Sequence, residues 1–138
     1  MIYNIKNELY INKFKNIKKI LVCGSRNYNE KDTIYNILNL INFKYLIEGG
    51  CIGADLIAKK YCIEKNKKYI EIKANWNLGK KAGPIRNNEM IKLEPNLVIA
   101  FSNDIKSSKG TKNMVNLSLK KNIKTLLISN KKIYCVIK

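Results

Sequence analysis

The residues best equipped for chemistry are the scarce ones. Arg26 and Arg86 are the only arginines, Trp76 is the only tryptophan, and the seven glycines are Gly24, Gly49, Gly50, Gly53, Gly79, Gly83 and Gly110. Almost all fall into four clusters: Gly24-Ser25-Arg26-Asn27, Gly49 to Asp55, Trp76 through Gly83-Pro84-Ile85-Arg86-Asn87, and Ser102 through Ser107-Ser108-Lys109-Gly110-Thr111. The chemistry this suggests is anion capture. Glycine lets backbone approach a ligand without a Cβ in the way. Free N–H groups at a helix start, with the helix dipole behind them, favour phosphate. Ser25, Ser108 and Thr111 add hydroxyl donors, and Arg26 and Arg86 offer planar forks for phosphate oxygens. Trp76 is a stacking surface for a base or a plain core or lid residue.

Acids near these clusters are few. Asp55 falls in the first turn of a helix, where it either caps the helix or contacts a ribose hydroxyl or acts as a general base. Glu48 and Glu89 are the other candidates for acid–base work, with Glu89 read as solvent-facing or paired with Arg86. No histidine occurs, which excludes His-dependent triads and His metal sites. The four cysteines, Cys23, Cys51, Cys62 and Cys135, form no CxxC pair, so no usual zinc set exists and buried thiols are expected. Neither a P-loop nor a full GxGxxG is present.

These clusters need elements that hold them together. Apolar runs at Ile20–Cys23, Tyr45–Ile47, Tyr69–Ile72, Leu97–Phe101 and Lys124–Ile128 read as short buried strands. Helical spacing joins Ile34, Ile37, Leu38 and Ile41, then Ala54, Ile57, Ala58, Tyr61 and Cys62. Further helices follow Pro84 and Gly110-Thr111. The alternation predicts an α/β, Rossmann-like, doubly wound and mostly parallel sheet of about five strands, with helices on both faces. Ile133–Ile137 is a possible sixth strand. In such sheets ligands bind beyond the carboxyl ends of the strands, and every cluster falls there. Residues 1–16 are expected as an N-terminal appendage, with strand or loose helix left open, and residues 17–138 as a single nucleotide-binding domain.

The 138 residues fit one domain. The net charge of +17 first suggests nucleic acid, but all but two of the 27 basic residues are lysine. Abundant Lys, Asn and Ile are what an A/T-rich coding bias produces, so nucleic acid stays open without being favoured. No apolar run reaches the ~18 residues of a membrane span, and the N-terminus lacks the order of a signal peptide. A cytoplasmic protein off the membrane is expected.

Taken in order, Cys23-Gly24-Ser25-Arg26, Gly49-Gly50-Cys51-Ile52-Gly53-Ala54-Asp55, Trp76, Lys81-Ala82-Gly83-Pro84-Ile85-Arg86-Asn87 with Met90, and Gly110-Thr111 with Met114 resemble the YpsA-related branch of the SLOG superfamily. The resemblance covers about residues 18–128. It implies a Rossmann-like sheet, a nucleotide or nucleotide-derived phosphate ligand such as a nucleoside monophosphate or an ADP-ribose-like molecule, and a homodimer, with no cofactor required. Phosphoribohydrolases of the superfamily carry PGGxGTxxE. Here Ser107-Ser108 replace the glycine pair and Met114 stands at the glutamate, so a catalytic role there is lost. The expected ligand contacts are Gly24, Ser25, Arg26, Asn27, Gly49, Gly50, Gly53, Asp55, Trp76, Gly83, Pro84, Arg86, Asn87, Ser108, Gly110 and Thr111. The alternatives are a hydrolase of nucleotide N-glycosidic or phosphate bonds and a basic nucleic-acid-binding protein.

Overall fold

The computed structural model describes residues 1–138. The elements run β1 (Ile2–Lys6), α1 (Glu8–Ile11), β2 (Ile17–Gly24), α2 (Lys31–Leu40), β3 (Phe43–Glu48), α3 (Ala54–Glu64), β4 (Lys68–Glu71), α4 (Ala82–Ile91), β5 (Leu97–Phe101), α5 (Lys109–Lys120), β6 (Lys124–Ser129) and β7 (Lys132–Ile137). One seven-stranded sheet forms in the order β1-β7-β6-β5-β2-β3-β4. The five strands β6-β5-β2-β3-β4 are parallel. They are the five expected from the apolar runs.

The period-two geometry of a strand explains why these runs bury both faces. Ile20 and Val22 of β2 join one core with Ile34 and Leu38 of α2 and Ala54 and Ala58 of α3. Leu21 and Cys23 join the other with Met90 of α4 and Met114 and Val115 of α5. Helices therefore cover both faces, and β5 and the Ile20–Cys23 stretch of β2 are apolar at every position because neither side meets water.

The sheet is wider than expected by two antiparallel edge strands. β7 pairs with β6 through a tight turn at Asn130-Lys131, both with positive φ (50° and 62°). That handedness matches the twist of a hairpin, but no glycine announces it. β1 then pairs with β7, Ile2 opposite Ile137. Within the first sixteen residues, Ile2–Lys6 thus form the outermost strand of the sheet. Ile11 is fully buried and Phe14 nearly so, because the core below β2 lacks a cover without them.

Chain order reverses between β2 and β5. β3 and β4 build outward on one side of β2, and the chain then crosses to β5 and β6 on the other. The carboxyl ends of β2 and β5 are therefore the switch point where a crevice opens. No helix is long and apolar enough to cross a membrane.

Candidate functional site

At that switch point lies a cleft of about 670 Å³, within the usual ~300–1,000 Å³ of small-molecule sites. Its walls come from the ends of β2 and β5, the Gly49–Gly53 loop, α4 and the start of α5. Only four of the 18 lining residues are hydrophobic, so the cleft suits a polar ligand.

Gly24 ends β2 at a point of contact. A Cβ there would sit 2.5 Å from the Ala54 Cβ and from the Phe101 carbonyl oxygen. The missing side chain lets the first turn of α3 close onto the sheet. Gly53, at φ +99°, is held against the backbone carbonyls of Ser25 and Arg26 in the same way. Both glycines permit close packing of neighbouring segments, and Gly24 also lines the cleft. Gly110 lines the cleft too, but a Cβ there would meet nothing within 4 Å.

Arg86 is 8% exposed. It donates through Nη1 to the Gly49 carbonyl (2.6 Å), through Nε to Asn87 Oδ1 (3.1 Å) and through Nη2 to Cys51 Sγ (3.7 Å). The two ion pairs of the chain, from Lys59 and Lys73, both end on Glu71. The buried guanidinium therefore has no carboxylate within ion-pair distance. Asn87 faces the other way and ties α4 to α5, donating to the Gly110 carbonyl (3.2 Å) and to Asn113 Oδ1 (2.9 Å).

Three hydroxyls converge beside α5. Ser25 Oγ donates to Ser102 Oγ (2.6 Å) and also contacts Ser108 Oγ, with Ser102 and Ser108 3.3 Å apart. Ser108 stands at the N-cap of α5 but makes no capping hydrogen bond. Its hydroxyl is engaged with the other two serines and with the Asp104 carbonyl (3.3 Å), so the leading N–H groups of the helix stay uncapped. The first turn of α5 also carries no acid.

Asp55 Oδ2 accepts the N–H groups of Gly49 (3.1 Å) and Cys51 (3.2 Å), which shapes the loop. Burial pushes its carboxyl up to about 6, against the pull of those N–H groups and of Arg86. Glu48 lies behind the loop, where its Oε1 accepts the Gly50 N–H (2.6 Å). Burial first, and then the neighbouring Glu71 carboxyl, push Glu48 up, while Glu71 is held low beside Glu48 and Lys59. No three His, Cys, Asp or Glu side chains converge to hold a metal ion.

The cleft gathers Gly24, Ser25, Arg26, Asn27, Asp55, Arg86, Asn87, Ser108, Gly110 and Thr111 from the residues singled out in the sequence. Gly49, Gly50 and Gly53 shape the loop behind it. Gly83 and Pro84 start α4 outside the lining. Trp76 stands at the rim, 54% exposed, with the Arg26 guanidinium over its ring at 5.6 Å. Glu48 is buried off the cleft and Glu89 is exposed on α4. Met114, the residue in the glutamate position, is fully buried in the core. The sequence places Ser102 to Thr111 and Gly49 to Asp55 at the cleft but singles out neither Ser102, which completes the hydroxyl cluster, nor Cys51, Asn103 and Asp104 as contacts, and it gives no signal for Tyr28 in the lining. The serine at the end of β5 was visible, but nothing in its neighbours ties it to Ser25, 77 positions earlier.

Comparison with known proteins places these features. Residues 18–79 match the YspA, cpYpsA-related SLOG family. That range holds the first two clusters and Trp76 and ends before Arg86 and α5. The chain is 29% identical over 96 residues to the Gene 61 protein of Mycobacterium phage D29, covering 62% of this chain and 77% of that protein. No solved structure matches the chain.

Proposed function

We propose that this chain, whose residues 18–79 match the YspA, cpYpsA-related SLOG family, binds a phosphate-bearing nucleotide-like ligand in the cleft at the β2–β5 switch point. The observation that carries the reading is Arg86. A buried cation without a carboxylate partner is costly unless something compensates it, and the wall across from it is the uncapped start of α5. An anion in the cleft answers both needs. Phosphate oxygens take the Gly110 and Thr111 N–H groups and the Thr111 hydroxyl, with the Arg86 charge behind them.

The ligand in this reading is small. The donors converge in one cleft, whereas the excess lysines are spread along the chain. A homodimer belongs to the same proposal, with sedimentation as its check. Calorimetry with nucleoside monophosphates and ADP-ribose tests the binding. Saturable heats that vanish in Arg86→Ala and fall in Gly110→Ala support it. No heat from any of them rejects it.

A second reading, hydrolysis of a nucleotide bond, draws on Asp55, a carboxyl in the cleft wall raised toward the range of general acids and bases. It requires release of free base or phosphate from a labelled nucleotide, lost in Asp55→Asn. Absence of release from the wild-type protein removes it.

A further inference from the structure

We propose that Arg26 and Trp76 together form a nucleobase platform at the cleft rim, so that the ligand is a purine nucleotide rather than a sugar phosphate or free phosphate. This rests on the nucleotide-binding reading above and specifies what sits beyond the phosphate.

The two residues are placed by each other. Arg26 follows β2 directly and lines the cleft. Its guanidinium takes part in neither ion pair of the chain, both of which end on Glu71, and it lies over the Trp76 ring. Trp76 opens the 3-10 segment Trp76–Lys81 before α4, which is kinked at Gly79 (φ 73°), and the Asn75 side chain accepts the Asn77 N–H (3.2 Å). On its far edge the indole rests against Gly83, where a Cβ would stand 3.7 Å from Cη2. More than half of Trp76 remains exposed.

The Arg26 guanidinium stands over the indole at 5.6 Å from the ring centroid, and both residues are exposed to solvent. Arg26 lines the same cleft as Arg86 and the start of α5. Guanidinium planes and aromatic rings both stack on bases. A base laid on Arg26 continues the Trp76–Arg26 stack, and the larger π-face of a purine gains more from it than a pyrimidine. The alternative role for Arg26, a second phosphate cation, fits its position less well. It is exposed, so its charge is screened by water and salt, whereas its plane keeps its stacking value.

Trp76 is the only tryptophan in the chain, so its fluorescence reports on this one place. The full-length protein is titrated with AMP, CMP, ribose 5-phosphate and inorganic phosphate, following Trp76 emission and calorimetric heat in parallel. AMP is expected to change Trp76 emission saturably and to bind about tenfold or more tighter than ribose 5-phosphate, in line with the usual strength of base stacking, with CMP between them. Arg26→Lys keeps the charge and removes the plane; Trp76→Leu removes the ring. Each is expected to bring AMP affinity down toward that of ribose 5-phosphate, while the ratio between ribose 5-phosphate and inorganic phosphate stays as in the wild type. Unchanged circular dichroism in both variants ties the effect to the platform.

Equal affinity for AMP and ribose 5-phosphate overturns the platform and leaves phosphate binding standing. Parallel weakening of AMP and ribose 5-phosphate in Arg26→Lys also overturns it, and makes Arg26 a phosphate contact. Failure of all four probes to bind overturns the platform and the nucleotide reading together.

Discussion

The Arg86 guanidinium donates to the Gly49 carbonyl at 2.6 Å, joining α4 to the loop after β3 across 37 positions of sequence. The contact is close enough that a Cβ on Gly49 would fall 2.8 Å from Arg86 Cζ. One arginine thus fixes the loop and carries the unpaired charge of the cleft.

Arg86→Ala is expected to act on stability as well as binding. It strands the buried Gly49 carbonyl and leaves a void, a loss of about 2–3 kcal/mol. Arg86→Lys retains a charge but cannot fork to Gly49, Asn87 and Cys51 at once, and is expected to recover only part. Urea denaturation of the three proteins gives the order.

Two glycines separate packing from access. Gly24→Ala puts a methyl on the Ala54 side chain and the Phe101 carbonyl, and is expected to destabilise the protein by about 1–3 kcal/mol or more, as overpacking does. Gly110→Ala meets nothing. It should leave stability unchanged or raised by up to about 1 kcal/mol, since alanine suits a helix better, while its methyl enters the cleft and weakens nucleotide binding. Melting curves with and without AMP distinguish the two effects.

Asp55 predicts a slope in stability against pH. Its folded value of about 6 lies above its ordinary 3.8, so between those values the native state holds more protons than the unfolded chain. The Asp55 contribution to stability therefore falls as pH rises through that window, by up to about 3 kcal/mol, and is flat above it. Asp55→Asn removes this contribution. The difference in unfolding free energy between the two proteins, measured from pH 3.5 to pH 7, should move in the direction of the variant as pH rises.

All four cysteines are free, and only Cys51 is not buried. Brief iodoacetamide treatment of the native protein is expected to label Cys51 alone, as read by mass spectrometry of its peptides. Because Cys51 lines the cleft, saturating AMP should slow the labelling. Equal labelling of Cys23 or Cys62 would contradict the closed packing around β2 and α3.

Much of this protein is determined by local sequence. Short runs such as Leu97–Phe101 are apolar at every position, and that suffices to specify strands buried on both faces and hence a parallel sheet under two helical layers. The scarce residues mark the strand ends because backbone there must turn sharply or lie close to another segment, a requirement that composition drift cannot erase. The edge strands were less legible. β1 is exposed along its whole length and has no apolar run to announce it, and the β6–β7 hairpin turns on Asn130-Lys131 rather than glycine. What each scarce residue does was decided only by tertiary structure. Gly24 and Gly53 accommodate other parts of the chain, Ser108 gives its hydroxyl to Ser25 and Ser102 instead of capping α5, and Arg86 is buried against Gly49. A residue's type and spacing limit which bonds it is able to make; which of them it makes depends on partners tens of positions away that only the folded sheet brings together.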